Sequence, residues 1–459
     1  MAYGPTLLQL EPGVQYKAVV PKKIPIGGSV KGTTKPGLFK VFVPMRDGPT
    51  LQLTTTAGSI SVYAPSGAPA MDAGGKPVAP GKDVKFQLPD GVFGWFGVVV
   101  ADSASYEISA KLTVEGNARD RDGKILVPWN FFYWPFTQVN DDGANHPSAK
   151  WQKAFGGGAN DWEKSSYWKS QIDGSGPGRS GHGITKQYVD DFNKWSGSQV
   201  VDFSNTWWWG HCDAASVAST LFAEPKGGQG FAEADMKFFA TEIAMRGYEI
   251  ELKFFLGGLQ NKSRKHPSHT EKPKPEAGQA LDADVSAFHD SLIDVVKKQG
   301  SVALVDFRAE WKDGEDHSAD VWNQATYKFT MEATQSKTDT GAGDEDANAY
   351  QLAFKTVIFA NCDAANTDGN PEANPDSAWK RECYYVLNFD ATGKVVQAHP
   401  ANNFTKCTWD RTGKEYYAPR YIFQIKGLNP DKNGPGNPHI AFDKAQELGL
   451  KLRAAFGGK

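Results

Sequence analysis

The chain has 459 residues with 50 Lys and Arg against 53 Asp and Glu, a formal charge of −3, and no strongly basic block. That balance argues against nucleic acid as a main partner, and the length exceeds the usual single domain, so two domains are expected. Aromatic residues make up 12% of the chain and glycine occupies 48 positions, a mixture that fits loop-rich β or α+β enzymes and excludes a simple helical bundle.

No apolar run reaches the roughly eighteen residues of a membrane span. The start, Met1-Ala2-Tyr3-Gly4-Pro5, lacks a basic segment followed by an apolar one, so no secretory signal peptide is expected. The expected location is the cytoplasm, or the exterior by a route that leaves no mark in the sequence. The four cysteines, Cys212, Cys362, Cys383 and Cys407, are too few and scattered for a disulfide scaffold or a four-cysteine zinc site. With one of them kept as a reactive thiol, one bridge at most remains, and Cys383 to Cys407 is the favoured pair.

Residues 1–116 read as all-β. Alternating runs at 37–43, 51–55, 59–63 and 106–114 are separated by Gly, Pro and Asp turns, the spacing of a β-sandwich. The layout is similar to the small jelly-roll domains that accompany bacterial secreted peptidases, and its expected role is that of a stabilising appendage. A charged, glycine-flanked linker at 116–123 marks the boundary, giving an expected division into 1–116 and 117–459. The aromatic run from Pro128 to Phe136 reads as packing. The Gly/Ser-rich stretch 156–183 contains no Gly-Lys-Ser/Thr and is no phosphate-binding loop. Residues 184–195 read as a short helix.

Thr206-Trp207-Trp208-Trp209-Gly210-His211-Cys212-Asp213-Ala214-Ala215 runs from aromatics into a small-residue segment of high helix propensity. Cys212 is therefore expected in the first turn of a helix. Unpaired amides and the positive end of the helix dipole there favour a thiolate and can hold the oxyanion of an acyl intermediate. An amphipathic helix follows from Phe231. His266 and His269 lie three apart in a proline-rich loop without a thiol or second ligand pair nearby, so no metal site is expected. Residues 280–299 read as a helix with Val285, Phe288, Leu292, Val295 and Val296 at helical spacing and His289 upon it. Strands follow at 301–307 and 320–329. Cys362 repeats the Cys-Asp-Ala-Ala run but leads into a loop, and the acidic stretches near 344 and 363–376 do not match an EF-hand.

The Trp-rich lead and Gly-x-Cys at a helix start resemble the nucleophile motif of papain-like cysteine enzymes. More closely, they resemble the transglutaminase elicitor family, known from oomycetes and with bacterial relatives. A second block, Ala287-Phe288-His289, then Val305-Asp306, then Val321-Trp322-Asn323-Gln324 with Tyr327, is similar to that family, as is a third, Tyr384 to Val396, which reads as a Tyr-x-Leu-x-Leu-Asp-x-x-Gly-x-Ile hairpin. The resemblance spans roughly 200–400. The chain departs from the family pattern in having Asp213-Ala214-Ala215 after the cysteine and Gln397-Ala398-His399-Pro400 after the hairpin.

The resemblance implies an α+β, papain-like or transglutaminase-like catalytic domain behind the jelly-roll-like sandwich. It also implies acyl transfer from a glutamine carboxamide to a primary amine through a Cys212 thioester. The same site serves a deamidase if water is the acceptor and a cysteine protease if a peptide bond is the donor; a binding protein with an idle catalytic fold is the non-enzymatic alternative. A thiol needs a base, and histidine titrates near neutrality. His317, His289, His399 and His211 are the candidates. A papain-like order favours His317, whereas alignment on the motif puts Asn323 at that place. Asp390 is either the orienting acid or an ordinary turn residue. Trp208, Trp209 and Trp322 are the candidate substrate-contacting residues, the tryptophan lead walling a dry channel for a lysine stem. No cofactor is expected.

Overall fold

The computed structural model describes residues 21–33, 36–101, 103, 105–131, 142–164, 211–255, 285–307, 322–335, 349–361, 379–390, 392–396, 407–409, 419, 421–429 and 436–453. These are mostly β-sheet with few helices. The chain forms two compact units, one of Met1–Glu115, Thr330–Val357 and Glu382–Tyr416, the other of Gly116–Phe329, Ile358–Arg381 and Tyr417–Lys459. By contact the chain passes between the units at 115/116, 329/330, 357/358, 381/382 and 416/417. The chain returns to the first unit twice, because three long strands in its later half each run through a division point, at 329/330, 357/358 and 381/382.

In chain order the first unit begins with β1 (Lys22–Lys23), β2 (Ser29–Gly32), β3 (Gly37–Val43), β4 (Thr50–Thr55), β5 (Ser59–Tyr63), β6 (Asp83–Gln87), β7 (Gly94–Ala101) and β8 (Tyr106–Asn117). One sheet runs β1-β3-β7-β5, while β8 pairs with β2 and β4, and β4 with β6. Strict alternation drives this. Along β8, Tyr106, Ile108, Ala110, Leu112 and Val114 are buried while their neighbours are more exposed, the signature of a strand with one face in a core.

Then come α1 (Pro147–Phe155), α2 (Ala159–Trp162), α3 (Cys212–Leu221), α4 (Glu233–Gly247), β9 (Tyr248–Phe255) and α5 (Val285–Leu292), which continues as a π turn over Ile293–Lys298. They are followed by β10 (Ala303–Phe307), β11 (Trp322–Gln335), β12 (Ala349–Asn361), β13 (Trp379–Asp390), β14 (Val395–Val396), β15 (Thr408–Trp409), β16 (Tyr421–Leu428) and α6 (Phe442–Glu447).

Within the second unit an antiparallel sheet runs β11-β10-β16-β9. Helix α3 packs on α4 and over β10 and β16. Its alanines allow that close approach: Ala215, Ala218 and Leu221 share one core with Phe239 and Ile243 of α4 and with Leu304, Ala325, Phe423 and Ile425 of the sheet. Every residue of α3 after Cys212 is buried, as expected of a helix enclosed on all sides. Its far end is held by residues distant in sequence. Arg453 donates to the carbonyls of Phe222 (2.9 Å), Ser219 (3.3 Å) and Val127 (3.0 Å), and Trp129 Nε1 donates to Phe222 O at 3.0 Å. These donors serve carbonyls that a helix end leaves without intrahelical partners.

Alternation also fixes what lies on the other face. Leu304, Ala325 and Phe423 face α3, so Gln424, next to Phe423, points away. Its amide donates to Gln299 and, at 3.4 Å, to Ser301 Oγ, the residues that close the π turn after α5. Helices α3 and α5 therefore lie on opposite faces of this sheet.

Candidate active site

Cys212 is the first residue of α3, and it is half-buried. Asn323, near the start of β11, pairs with Asp306 of β10 and lies on the α3 face, two residues before Ala325. Its side-chain Nδ2 donates to Cys212 Sγ at 3.3 Å. One turn along the helix, Ser216 Oγ donates to the backbone carbonyl of Asn323 at 2.8 Å. Helix start and strand are thus pinned to each other at two points, and the amide–sulfur contact rests on a rigid base. The Asn323 amide donates to a sulfur at the positive end of a helix, an arrangement that stabilises negative charge there.

The surrounding polar groups are buried. Asp213 Oδ2 accepts from the Tyr248 hydroxyl at 2.9 Å. His211 Nδ1 and Glu242 Oε1 approach to 2.6 Å, close enough for an ion pair although the ring N–H is not aimed straight at the oxygen. His146 caps α1, its Nδ1 accepting from Ser148 N–H at 3.3 Å and meeting Ser148 Oγ at 2.7 Å. Burial pushes the His146 pKa down to about 4; Glu242 and Asp235 oppose that shift, and His211 and Lys164 add to it.

The other sequence-predicted residues fare differently. His317, His399, Trp208, Trp209 and Cys362 lie outside the described residues. Trp322 begins β11 beside Asn323, opposite Phe307 of β10. His289 is buried in α5, on the sheet face opposite α3, and is not brought to the sulfur. Asp390, in the first unit, belongs to a tight turn. Its Oδ1 accepts from Thr392 N (2.8 Å), Thr392 Oγ1 (2.7 Å) and Lys394 N (3.0 Å). Burial opposes ionisation of Asp390, but the Thr392 and Lys394 bonds outweigh it and hold the carboxyl below its ordinary value.

The same turn recurs at Asp72 and Asp120. In each, the carboxylate accepts from the amides two and four residues on, a Lys stands at the fourth position, and the third is a glycine at φ 75°, 78° or 74°. The recurrence at two further positions shows that an aspartate in this pattern forms the turn without the surrounding hairpin motif. The favoured Cys383–Cys407 bridge is not formed: both thiols are free and buried. Cys407 Sγ accepts from Asn388 N at 3.4 Å, five residues along β13 from Cys383, about 16 Å at strand rise, well beyond the reach of a disulfide.

Sequence reasoning missed Glu242, Tyr248 and Asn437. Glu242 carried a signal: it falls three and four residues after Phe239 and Phe238, a carboxylate on the apolar face of a helix, which demands a buried partner. Among the described residues no three His, Cys, Asp or Glu side chains gather as a metal site, and no helix is long and apolar enough to cross a membrane.

No protein-family model and no curated protein matches the chain. Among solved structures it is similar to the GP42 transglutaminase from Phytophthora sojae, at 17% identity and a TM-score of 0.43, over 73% of this chain and 90% of that one. It is also similar to PliG from Aeromonas hydrophila, a periplasmic lysozyme inhibitor of g-type lysozyme, at 12% identity and a TM-score of 0.16, over 20% of this chain and 95% of that one.

Proposed function

We propose that the protein is a thiol-dependent acyltransferase that moves the γ-carboxamide acyl group of a glutamine onto a primary amine. The observation that carries this reading is the Asn323 amide donating to Cys212 Sγ at 3.3 Å, with the sulfur at the start of a buried helix. Support for the glutamine substrate comes from the three ordered sequence blocks that resemble the transglutaminase elicitor family.

In this reading the Cys212 thiolate attacks the carboxamide carbon. The amides at the start of α3 and the Asn323 side chain stabilise the oxyanion. Collapse expels the amide nitrogen, which takes up a proton and leaves as ammonia, and a thioester remains. The amine then attacks the thioester, loses a proton, and returns the thiolate. The base that takes and gives these protons is assigned to His317, six residues ahead of Asn323 in the sequence. Trp322, beside Asn323, and the Trp208-Trp209 lead are assigned to the channel that admits the amine and excludes water.

The test is mass spectrometry of a glutamine peptide incubated with the protein and excess primary amine. Gain of the amine with loss of ammonia is the expected product. A gain of about one mass unit alone indicates deamidation, chain cleavage indicates a protease, and an unchanged peptide with an unreactive thiol indicates a binding protein.

A further inference from the structure

We propose that Glu242 is a positioning residue for Cys212, acting through His211; the proposal rests on the thiol reading of the site. Glu242 lies on α4 and is completely buried, and His211, immediately before Cys212, is 3% exposed. A carboxylate is retained in such a place only when fixed donors compensate for its lost hydration. Glu242 has two. Its Oε2 accepts the backbone N–H of Asn437 at 2.6 Å, a donor that can neither rotate nor reverse. That bond turns Oε1 toward His211 Nδ1, 2.6 Å away. Two bare lone pairs would repel at this distance, so the proposal puts the ring proton on Nδ1, with the N–H directed off the line to Oε1 and the pair held by proximity rather than by a straight hydrogen bond.

The clamp extends further. The Asn437 side chain donates to Glu163 Oε1 at 2.8 Å and to Ala159 O at 2.9 Å, so four buried polar residues from four separate stretches tie down one point. That point is the entry to α3. The His211 carbonyl accepts from Ala215 N at 2.8 Å, the first bond of the helix. Holding the ring therefore holds the turn that aims Cys212 at Asn323, and Glu242 itself touches neither the sulfur nor a substrate. A charge-assisted bond is stronger and more directional than a neutral one, which is why a carboxylate serves here.

Glu242→Gln tests the proposal in the full-length protein. Asn437 N–H still demands an oxygen, so the new amide group must turn its NH2 toward His211. The ring must then accept, and its proton moves to Nε2. Three readouts apply: the 15N shifts of the His211 ring, the rate at which iodoacetamide alkylates Cys212 across pH, and kcat with KM for amine incorporation. The titratable and charged groups on the elements packed around the ring are Glu242, Asp235 and Arg246 of α4, His146 and Lys150 at α1, Glu163 and Lys164 after α2, and Asp213 of α3. All of these except Glu242 stay in place in the variant, so a changed pH profile of alkylation reports on the loss of that one carboxylate from the clamp.

Expected are a wild-type ring protonated at Nδ1, a proton moved to Nε2 in Glu242→Gln, and Cys212 labelling slowed about tenfold or more at neutral pH. A lowered kcat with KM unchanged is expected as well. His211→Phe should slow labelling equally, and the double variant no further, because one residue acts through the other. Wild-type labelling rates in Glu242→Gln, additive losses in the double variant, or a wild-type ring protonated only at Nε2 would overturn the proposal. The wild-type spectrum decides it even if a variant fails to fold. Alkylation needs no substrate, so absence of amine transfer by the wild-type protein would sink the acyltransfer reading while leaving this proposal to its own readouts.

Discussion

Two thiols, one in each unit, make nearly the same hydrogen bond. Cys212 Sγ accepts from the Asn323 side chain at 3.3 Å, and Cys407 Sγ from the Asn388 backbone at 3.4 Å. Their settings differ in every other respect. Cys212 opens a helix and is partly open to solvent. Cys407 precedes a two-residue strand and is fully buried, and burial pushes its thiol up. A donor to sulfur is thus no mark of a nucleophile by itself; the proposed reading rests also on the helix start and the partial exposure of Cys212.

The strongest way to break that comparison is Cys212→Ala. It should lower amine incorporation by more than about a thousandfold with the fold intact, while Cys407→Ala leaves turnover unchanged. Iodoacetamide should mark Cys212 well before Cys407 or Cys383, and preferential labelling of either buried thiol would reverse the assignment.

The surroundings of the two thiols also differ in what titrates. His146 belongs to the buried polar cluster with Glu242 and Asp235, and burial pushes its folded pKa down to about 4, below the ordinary 6.5 of histidine. Below pH 6.5 the unfolded chain takes up a proton that the folded one refuses. Stability is therefore full above 6.5 and falls as the pH drops toward 4, by about 3 kcal/mol. Urea unfolding across that window measures it. His146→Asn, which keeps a capping side chain, should flatten the dependence; an unchanged slope would show that another group carries it.

Asn323→Ala sharpens the comparison from the donor side. Losing one oxyanion donor costs about a hundredfold in kcat, or about 2.7 kcal/mol of barrier, and steady-state kinetics will show it. An unaffected kcat would confine Asn323 to packing. The smallest effect is on stability: Cys407→Ala should cost about 1 kcal/mol in a urea melt, since it removes one buried atom and an acceptor.

Much of this was legible in the sequence where the signal is local. The runs at 37–43 and 59–63 became β3 and β5 with those same ends, because alternation of period two needs no distant partner. The helix start at Cys212 was legible from its small residues, and the Asp390 turn from a spacing that recurs at Asp72 and Asp120. The partners of those elements were not. That Asn323 meets Cys212 depends on the register of β10 with β11, set by pairs 15 to 23 residues apart, and on which sheet face α3 covers, set by contacts such as those to Asn323 that are 107 and 111 residues apart. His289 was misleading for the same reason: helical periodicity places it on α5 but says nothing about which face of the sheet α5 takes. The passage of β11, β12 and β13 through the division between units is likewise a property of assembled strands.

The Arg453 contacts at the far end of α3 carry a consequence for synthesis. The guanidinium reaches Phe222 O and Ser219 O across sequence separations of 231 and 234 residues. At roughly 5–20 residues per second on a ribosome, α3 emerges about 10–50 s before the residue that closes its last turn. Throughout that interval the helix lacks this cap, although every strand of the sheet beneath it is made before Arg453. The last turn of α3 is therefore closed only after the strands on which the helix packs have all been made.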